Sequence, residues 1–300
     1  MGAAISSCLQ GVAVSCRCAK EECPGCLAAN LATMAFMDDR NSTTYAAADI
    51  VNYYAQLNRL QPAEADILER LRHQLPTMKM LDMGVGGGRT AQHFAPLVQQ
   101  YVGIDYSAEM VTACQKRFST CSYATRFETA DARDLSQFED NSFDFILFSF
   151  NGIDYVSHGD RLRILQEIKR VGKQGCYFFF SSHNLQALER EMTWQKQIAP
   201  NPLKTYENLV MLGLFWLFNR PMTRQLLATS QHLIVRDESH NFRLDTYYIR
   251  AAQQVEQLSQ DFSQVEIYPW QSTESIADMD AAIMGRDLWL YYLCRIETAN

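Results

Sequence analysis

"LDMGVGGGRT", residues 81–90, places an aspartate and then glycines at alternate positions between two apolar segments. The compact run "MKMLDM" (78–83) leads into it and reads as a buried strand, while "TAQHFAPLVQQ" (90–100) continues from it with the spacing of a helix. Strand, tight loop and helix together open a parallel βαβ unit. Gly84, Gly86 and Gly88 permit a sharp turn and let a ligand approach the backbone where a Cβ would collide.

The same plan repeats downstream. "YVGID" (101–105) reads as a strand, followed by Ser107 as N-cap and Glu109 in the first turn of the helix "AEMVTACQKRF" (108–118). "RFETA" (126–130) is a third strand, and "FDFILFSF" (143–150) is apolar on both faces, as a central parallel strand must be. "DRLRILQEIKRVG" (160–172) spaces Leu162, Leu165, Ile168 and Val171 along one helical face, and "GCYFFFSS" (175–182) supplies a fifth strand. Upstream, "ADIVNYYAQLNRL" (48–60) and "AEADILERLRHQL" (63–75) read as two helices, with Pro62 in the first turn of the second.

The tail breaks the rhythm. "SQVEIYPW" (263–270) and "DLWLYYLCRI" (287–296) are two strands joined by a segment too short for a full crossover helix, which predicts antiparallel pairing. The expected fold is an α/β, doubly wound, Rossmann-like sheet of seven strands with an antiparallel last strand. Between strands five and six lies an inserted lid, residues 183–248, mixing helical "ALEREMTWQKQI", the apolar decamer "LVMLGLFWLF" (209–218) and strand-like "HLIVRD" and "FRLDTYYI". The decamer reads as a buried helix; the functional alternative is an apolar substrate wall or membrane-facing lid.

Composition narrows the function. The 300 residues are 47% hydrophobic and 20% charged, as in an ordinary globular protein, and the net charge of −7 argues against a nucleic-acid partner. No apolar run approaches the ~20 residues of a membrane span, so no membrane partner and a cytoplasmic location are expected. Five of the nine cysteines crowd into the first 26 residues, as "CRCAKEECPGC" (16–26) preceded by Cys8. These lack the paired knuckles of a zinc site, and no metal is expected. "MGAAIS" fits a myristoylation pattern, but residues 1–38 read as a poorly ordered leader ahead of a single domain over 39–300. The alternative expectation is an upstream extension of a chain whose working start lies near Met34 or Met37.

Two ligand classes use a glycine loop of this kind. The dinucleotide fingerprint G-x-G-x-x-G puts Arg89 where its third glycine belongs when counted from Gly84, which weakens an NAD-type oxidoreductase. The spacing of Asp82, Gly84, Gly86 and Gly88 instead resembles the D-x-G-x-G-x-G motif of class I S-adenosylmethionine-dependent methyltransferases. The similarity continues through "VGIDYS" (102–107), "TADARDL" (129–135) and "FDFILFSFNGIDYV" (143–156), covering roughly 75 to 182 and the last two strands.

The resemblance implies Asp105 on the ribose hydroxyls, Tyr106 and Met110 beside the adenosine, Asp131 and Ala132 at the adenine turn, and Ser149 to Asn151, through Phe150, along the methionine. Asp82 orients the loop or faces the cofactor's ammonium, and Asp131 would serve equally as the cap of its turn. One departure is "VGKQGCYFFF" (171–180), where relatives carry a proline-glycine-glycine turn.

Methyl transfer requires an in-line alignment in a dry cavity, and a base only if the nucleophile arrives protonated. His158 and His183 are the candidate bases, with loop-stabilising hydrogen bonds as the alternative. Asn151, Asp154, Tyr155, Tyr45 and Tyr53 are placed to bind substrate, with the rings of Tyr45, Tyr53 and Tyr54 able to face the sulfonium or an amine and core packing as their alternative. The expected activity is methylation of oxygen or nitrogen on a small molecule by a monomer or homodimer. A non-catalytic S-adenosylmethionine-binding protein is the non-enzymatic alternative.

Overall fold

The structure is a computed structural model and describes residues 40–271, 275 and 287–297, residue 42 excepted. All lie in one compact unit, Met37–Asn300. The expected leader, with its cysteines and acylation pattern, falls outside the described residues.

Seven strands build the central sheet: β1 (Lys79–Met83), β2 (Gln100–Asp105), β3 (Thr125–Thr129), β4 (Phe143–Phe148), β5 (Gly172–Asn184), β8 (Phe262–Pro269) and β9 (Trp289–Ile296). Their order is β3-β2-β1-β4-β5-β9-β8, parallel as far as β5. β9 then runs antiparallel between β5 and β8, in agreement with the expected last strand. Alternation along each strand sorts the side chains into two cores. Leu81, Ile104, Phe178 and Tyr292 pack on one face with α5 (His158–Val171) and α9 (Ala251–Leu258). Met80, Tyr101, Phe179 and Tyr291 pack on the other with α2 (Pro62–Leu71), α3 (Ala91–Phe94) and α4 (Ala108–Arg117).

Local signals explain the helix boundaries. Ser107 caps α4 by accepting from the Met110 N–H, and Pro62 opens α2, whose Glu64 completes a reciprocal cap with Gln61. The helix expected over 90–100 shrinks to Ala91–Phe94. Ala95 still has helical angles, but Pro96 supplies no N–H to continue the ladder.

The insertion carries α6 (Leu185–Glu191), α7 (Pro202–Phe218), α8 (Arg224–Thr229), β6 (His232–Val235) and β7 (Thr246–Ile249). β7 joins the sheet parallel to the end of β5, with His183 opposite Tyr248. The other edge of His183 faces Trp289 of β9, so β7 occupies the β4 edge, beyond the point where β4 stops opposite Phe180.

Two expectations are corrected here. His183 lies within β5 rather than beyond it, because β7 and β9 extend the ladder past Ser182. The decamer in α7 is not a buried helix: only Phe215 is buried, and Leu209, Val210, Leu217 and Phe218 are exposed. At the start of β5, where the proline-glycine-glycine turn is missing, the strand instead bulges against β4 through Gly175 at φ +76°.

Candidate active site

The glycine loop turns from β1 with Gly84, Gly86 and Gly88 all at positive φ. A Cβ on Gly84 would lie 2.9 Å from the Phe148 ring, and one on Gly88 2.5 Å from the Phe118 ring. At Gly86 the nearest atom would be Tyr54 at 3.8 Å, so its Cα faces open space although its N–H and carbonyl are bonded to Asp105 and Cys114. Gly87, outside the motif spacing, serves packing instead. A Cβ there would sit 2.4 Å from the Ala55 backbone, because α1 (Ala48–Gln56) lies directly on the loop.

Asp82 is buried and accepts hydrogen bonds from the Thr90 and Tyr101 hydroxyls. It therefore ties β1 to β2 and to the segment after the loop, the orienting role of the two considered. Burial pushes its carboxyl up to about 7, and the two hydroxyls limit the rise. Asp105, at the end of β2, accepts the Gly86 and Ser107 N–H groups, each at 2.9 Å. Burial raises its pKa as well, against the pull of those amides.

Tyr106 is exposed and meets Tyr45 edge-on, while Met110 is buried in α4. Asp131 accepts from the Arg133 N–H and is paired with its guanidinium, with a 41% exposed side chain beside half-buried Ala132. The cap considered for Asp131 is thus present.

The sequence alone does not single out Glu64. It is fully buried and receives Arg89 through both guanidinium nitrogens, one at 2.7 Å, together with the Ser149 and Tyr291 hydroxyls. Burial opposes its ionisation, but Arg89, then Ser149 and the Gln61 N–H, hold the pKa below the usual range. Arg89 also lies 4.6 Å from the Phe150 ring centroid. One network therefore joins α2, the glycine loop, the end of β4 and β9. The helical pattern of α2 hides Glu64 among other surface-type charges; the reciprocal cap is the available signal.

Phe150 and Asn151, directly after β4, both adopt left-handed backbone conformations, at φ 57° and 59°. Such geometry is unusual for a phenylalanine and is maintained only by surrounding structure. The Asn151 N–H donates to Ser181 Oγ at 2.7 Å, and its side-chain oxygen is buried with no partner among the described residues.

Both residues line a cavity of about 1060 Å³, together with Tyr53, Tyr54, Tyr155, His183, Tyr248 and Trp289, with residues of α6 and α7 of the insertion forming part of its wall. Tyr45 is not among the lining residues; its ring packs against Tyr54, Tyr106 and Tyr155. Tyr54 and Phe150 connect this cavity to the glycine loop.

His183 Nδ1 lies 2.8 Å from Asp154 Oδ2, which also accepts the His183 backbone N–H. The other Asp154 oxygen is paired with Arg161 and accepts from Ser182 Oγ at 2.8 Å. Asp154 is completely buried and does not line the cavity, which corrects its expected contact with substrate; it orients His183 instead. The Asp154 carboxylate is the acceptor at Nδ1, which turns Nε2 toward the Asn151 amide nitrogen, 3.3 Å away.

His158 is elsewhere. It opens α5, its Nδ1 lies 2.7 Å from the Tyr247 hydroxyl, and its ring stacks on His232 at 4.1 Å. It does not line the cavity, and burial, then His232 and Arg161, push its pKa down to about 4. The expectation that it serves as base is therefore corrected: its ring nitrogen is engaged by Tyr247 outside the cavity.

The sheet order, with β9 inserted antiparallel between β5 and β8 above a glycine loop, defines a Rossmann-like methyltransferase fold. A family described as a methyltransferase domain matches residues 80–175. An uncharacterized methyltransferase of Bacillus subtilis is 33% identical over 108 residues, 35% of this chain and 40% of the relative. A ubiquinone biosynthesis O-methyltransferase of Hahella chejuensis is 24% identical over 136 residues, 45% of this chain and 56% of that one. A ubiquinone/menaquinone biosynthesis C-methyltransferase of Geotalea daltonii is 37% identical over 105 residues, 33% and 43% respectively.

The chain thus spans about half the length of the curated relatives it matches. A solved S-adenosylmethionine-dependent methyltransferase of Clostridium acetobutylicum superposes with a TM-score of 0.54 at 13% identity, covering 79% of this chain and 92% of that one. The fold and these matches together support a class I S-adenosylmethionine-dependent methyltransferase.

Its residues fit that cofactor. The open Cα face of Gly86 is a surface that a Cβ would obstruct, and the Asp105 carboxylate beside it retains acceptor capacity for a ribose hydroxyl.

Proposed function

We propose that the protein transfers a methyl group to oxygen or nitrogen of a small-molecule acceptor held in the cavity between α1, the β4 end and the inserted lid. The observation that carries this reading is the His183–Asp154 pair facing a cavity that adjoins the glycine loop. S-adenosylmethionine supplies a methyl carbon already activated by its sulfonium. The glycine loop and Asp105 hold that cofactor, and Tyr106, Met110, Asp131 and Ala132 flank the adenosine side. Ser149 acts at one remove, by fixing Glu64 and Arg89 beneath Phe150.

His183 Nε2 accepts the acceptor's proton, and the resulting imidazolium is stabilised through Nδ1 by Asp154. Asn151 offers its unpartnered oxygen to a donor on the acceptor, and the rings of Phe150, Tyr155 and Trp289 exclude water. The quinone-biosynthesis names of the Hahella and Geotalea relatives support a small-molecule acceptor.

Mass spectrometry of a cell extract incubated with the protein and methyl-labelled cofactor tests the reading by searching for a product of increased mass. With that acceptor in hand, His183→Ala should lower kcat by about 10²–10⁴, while cofactor affinity measured by calorimetry stays unchanged. His158→Ala should leave both intact. Cofactor binding with no product on a broad acceptor panel would instead favour the non-catalytic alternative.

A further inference from the structure

The decamer that the sequence assigns to the interior lies on the surface. Leu209, Val210, Leu217 and Phe218 of α7 are each more than 40% exposed, and Trp194 and Ile198 in the turn before the helix more than half. At Gly213, on the same helix, an added Cβ would meet nothing within 4 Å. Contiguous apolar patches of this kind on a globular protein mark a surface that meets another apolar phase.

The charges around the patch say which phase. From Asn208 through Arg236 the chain contains three arginines and no aspartate or glutamate, although the whole protein carries a net charge of −7. Arg220 and Arg224 follow directly after the helix, are exposed, and form no ion pair with any described residue. Exposed leucine, phenylalanine and tryptophan beside unpaired arginines match the composition of helices that lie in a bilayer interface and are attracted by anionic headgroups. At 17 residues the helix does not cross a bilayer, and no described helix is long and apolar enough to do so.

We propose that α7 docks the protein on an anionic lipid surface, with Leu209, Leu217 and Phe218 entering the boundary between headgroups and acyl chains and Arg220 and Arg224 pairing with anionic headgroups. Tyr206 and Val210, also exposed on α7, line the cavity. Docking through this helix therefore sets the rim of the cavity against the lipid, where an apolar acceptor enters without crossing water. The docking itself does not depend on the methyl-transfer reading, because it rests on exposure and charge alone.

Flotation of the full-length, unacylated chain with vesicles tests it, using phosphatidylcholine alone or mixed with phosphatidylglycerol. The expected result is flotation with the mixed vesicles at low salt, little with phosphatidylcholine alone, and loss at about 0.5 M salt. Arg220→Glu with Arg224→Glu, and separately Leu209→Asp with Leu217→Asp, should each weaken vesicle binding by about tenfold or more. Circular dichroism and cofactor affinity should stay unchanged, which separates this test from any failure of the enzymatic reading. Absence of flotation by the parent chain, or equal flotation by both variants, overturns the proposal. So does a parent dimer in sedimentation that the leucine variant dissociates without any vesicle binding, since the face then joins two copies of the chain.

Discussion

Asp82 shows how a motif residue acts through the fold before it acts on a ligand. Its carboxyl is held at about 7 by burial, whereas in the unfolded chain it titrates near 4. Between those values the folded protein keeps a proton that the unfolded chain has lost, so this group's contribution to stability falls as pH rises from about 4 to 7 and is constant above. Asp82→Asn removes the titration while keeping one acceptor for Thr90 or Tyr101. Urea unfolding at a series of pH values should show the parent losing a few kcal/mol relative to the variant across that window. A constant difference between the two would contradict the assignment. Asp82 and the glycines were legible because their role depends on a local loop; the partner Tyr101 was not, because no spacing rule links residues that meet only after β1 and β2 pair.

At the scale of elements, two contacts hold the loop from opposite sides. α1 lies on Gly87, so Gly87→Ala forces a Cβ into the Ala55 backbone and displaces the helix that carries Tyr53 and Tyr54. Overpacking of this sort costs about 1–3 kcal/mol, and calorimetry should show cofactor affinity falling with it. Unchanged stability and affinity would mean that α1 moves freely off the loop.

On the other side, Glu64→Gln leaves Arg89 buried without its carboxylate partner. Breaking a buried pair on one side costs about 3–5 kcal/mol, measurable as a lower urea midpoint; a change below about 1 kcal/mol would show that Ser149 and Tyr291 suffice. The strands were legible in sequence because alternation or full burial marks each one. α7 misled because hydrophobicity reports what a helix contains and not which neighbours arrive to cover it.

At the scale of the whole molecule, the final strand completes one side of the sheet. β9 lies between β5 and β8, which the chain completes before it, so neither has its full ladder until the last residues arrive. Its alternation serves both cores: Leu290, Tyr292, Cys294 and Ile296 face one layer, and Tyr291 and Leu293 the other. Tyr291 also reaches Glu64 of α2, joining the end of the chain to the network beneath the cavity. Sequence pattern disclosed the strand and its antiparallel pairing with β8 from the short connection, but its place beside β5 depends on a pairing more than a hundred residues apart.

Burying a large apolar side chain contributes about 1.5–3 kcal/mol, and β9 buries six side chains, whereas a domain is stable by only about 5–15 kcal/mol in total. Truncation after Asp287 should therefore abolish cooperative unfolding in urea and the binding of cofactor together, rather than lower the midpoint by a step. A truncated chain that kept a sigmoidal transition would show that the parallel strands through β5 hold together without β9.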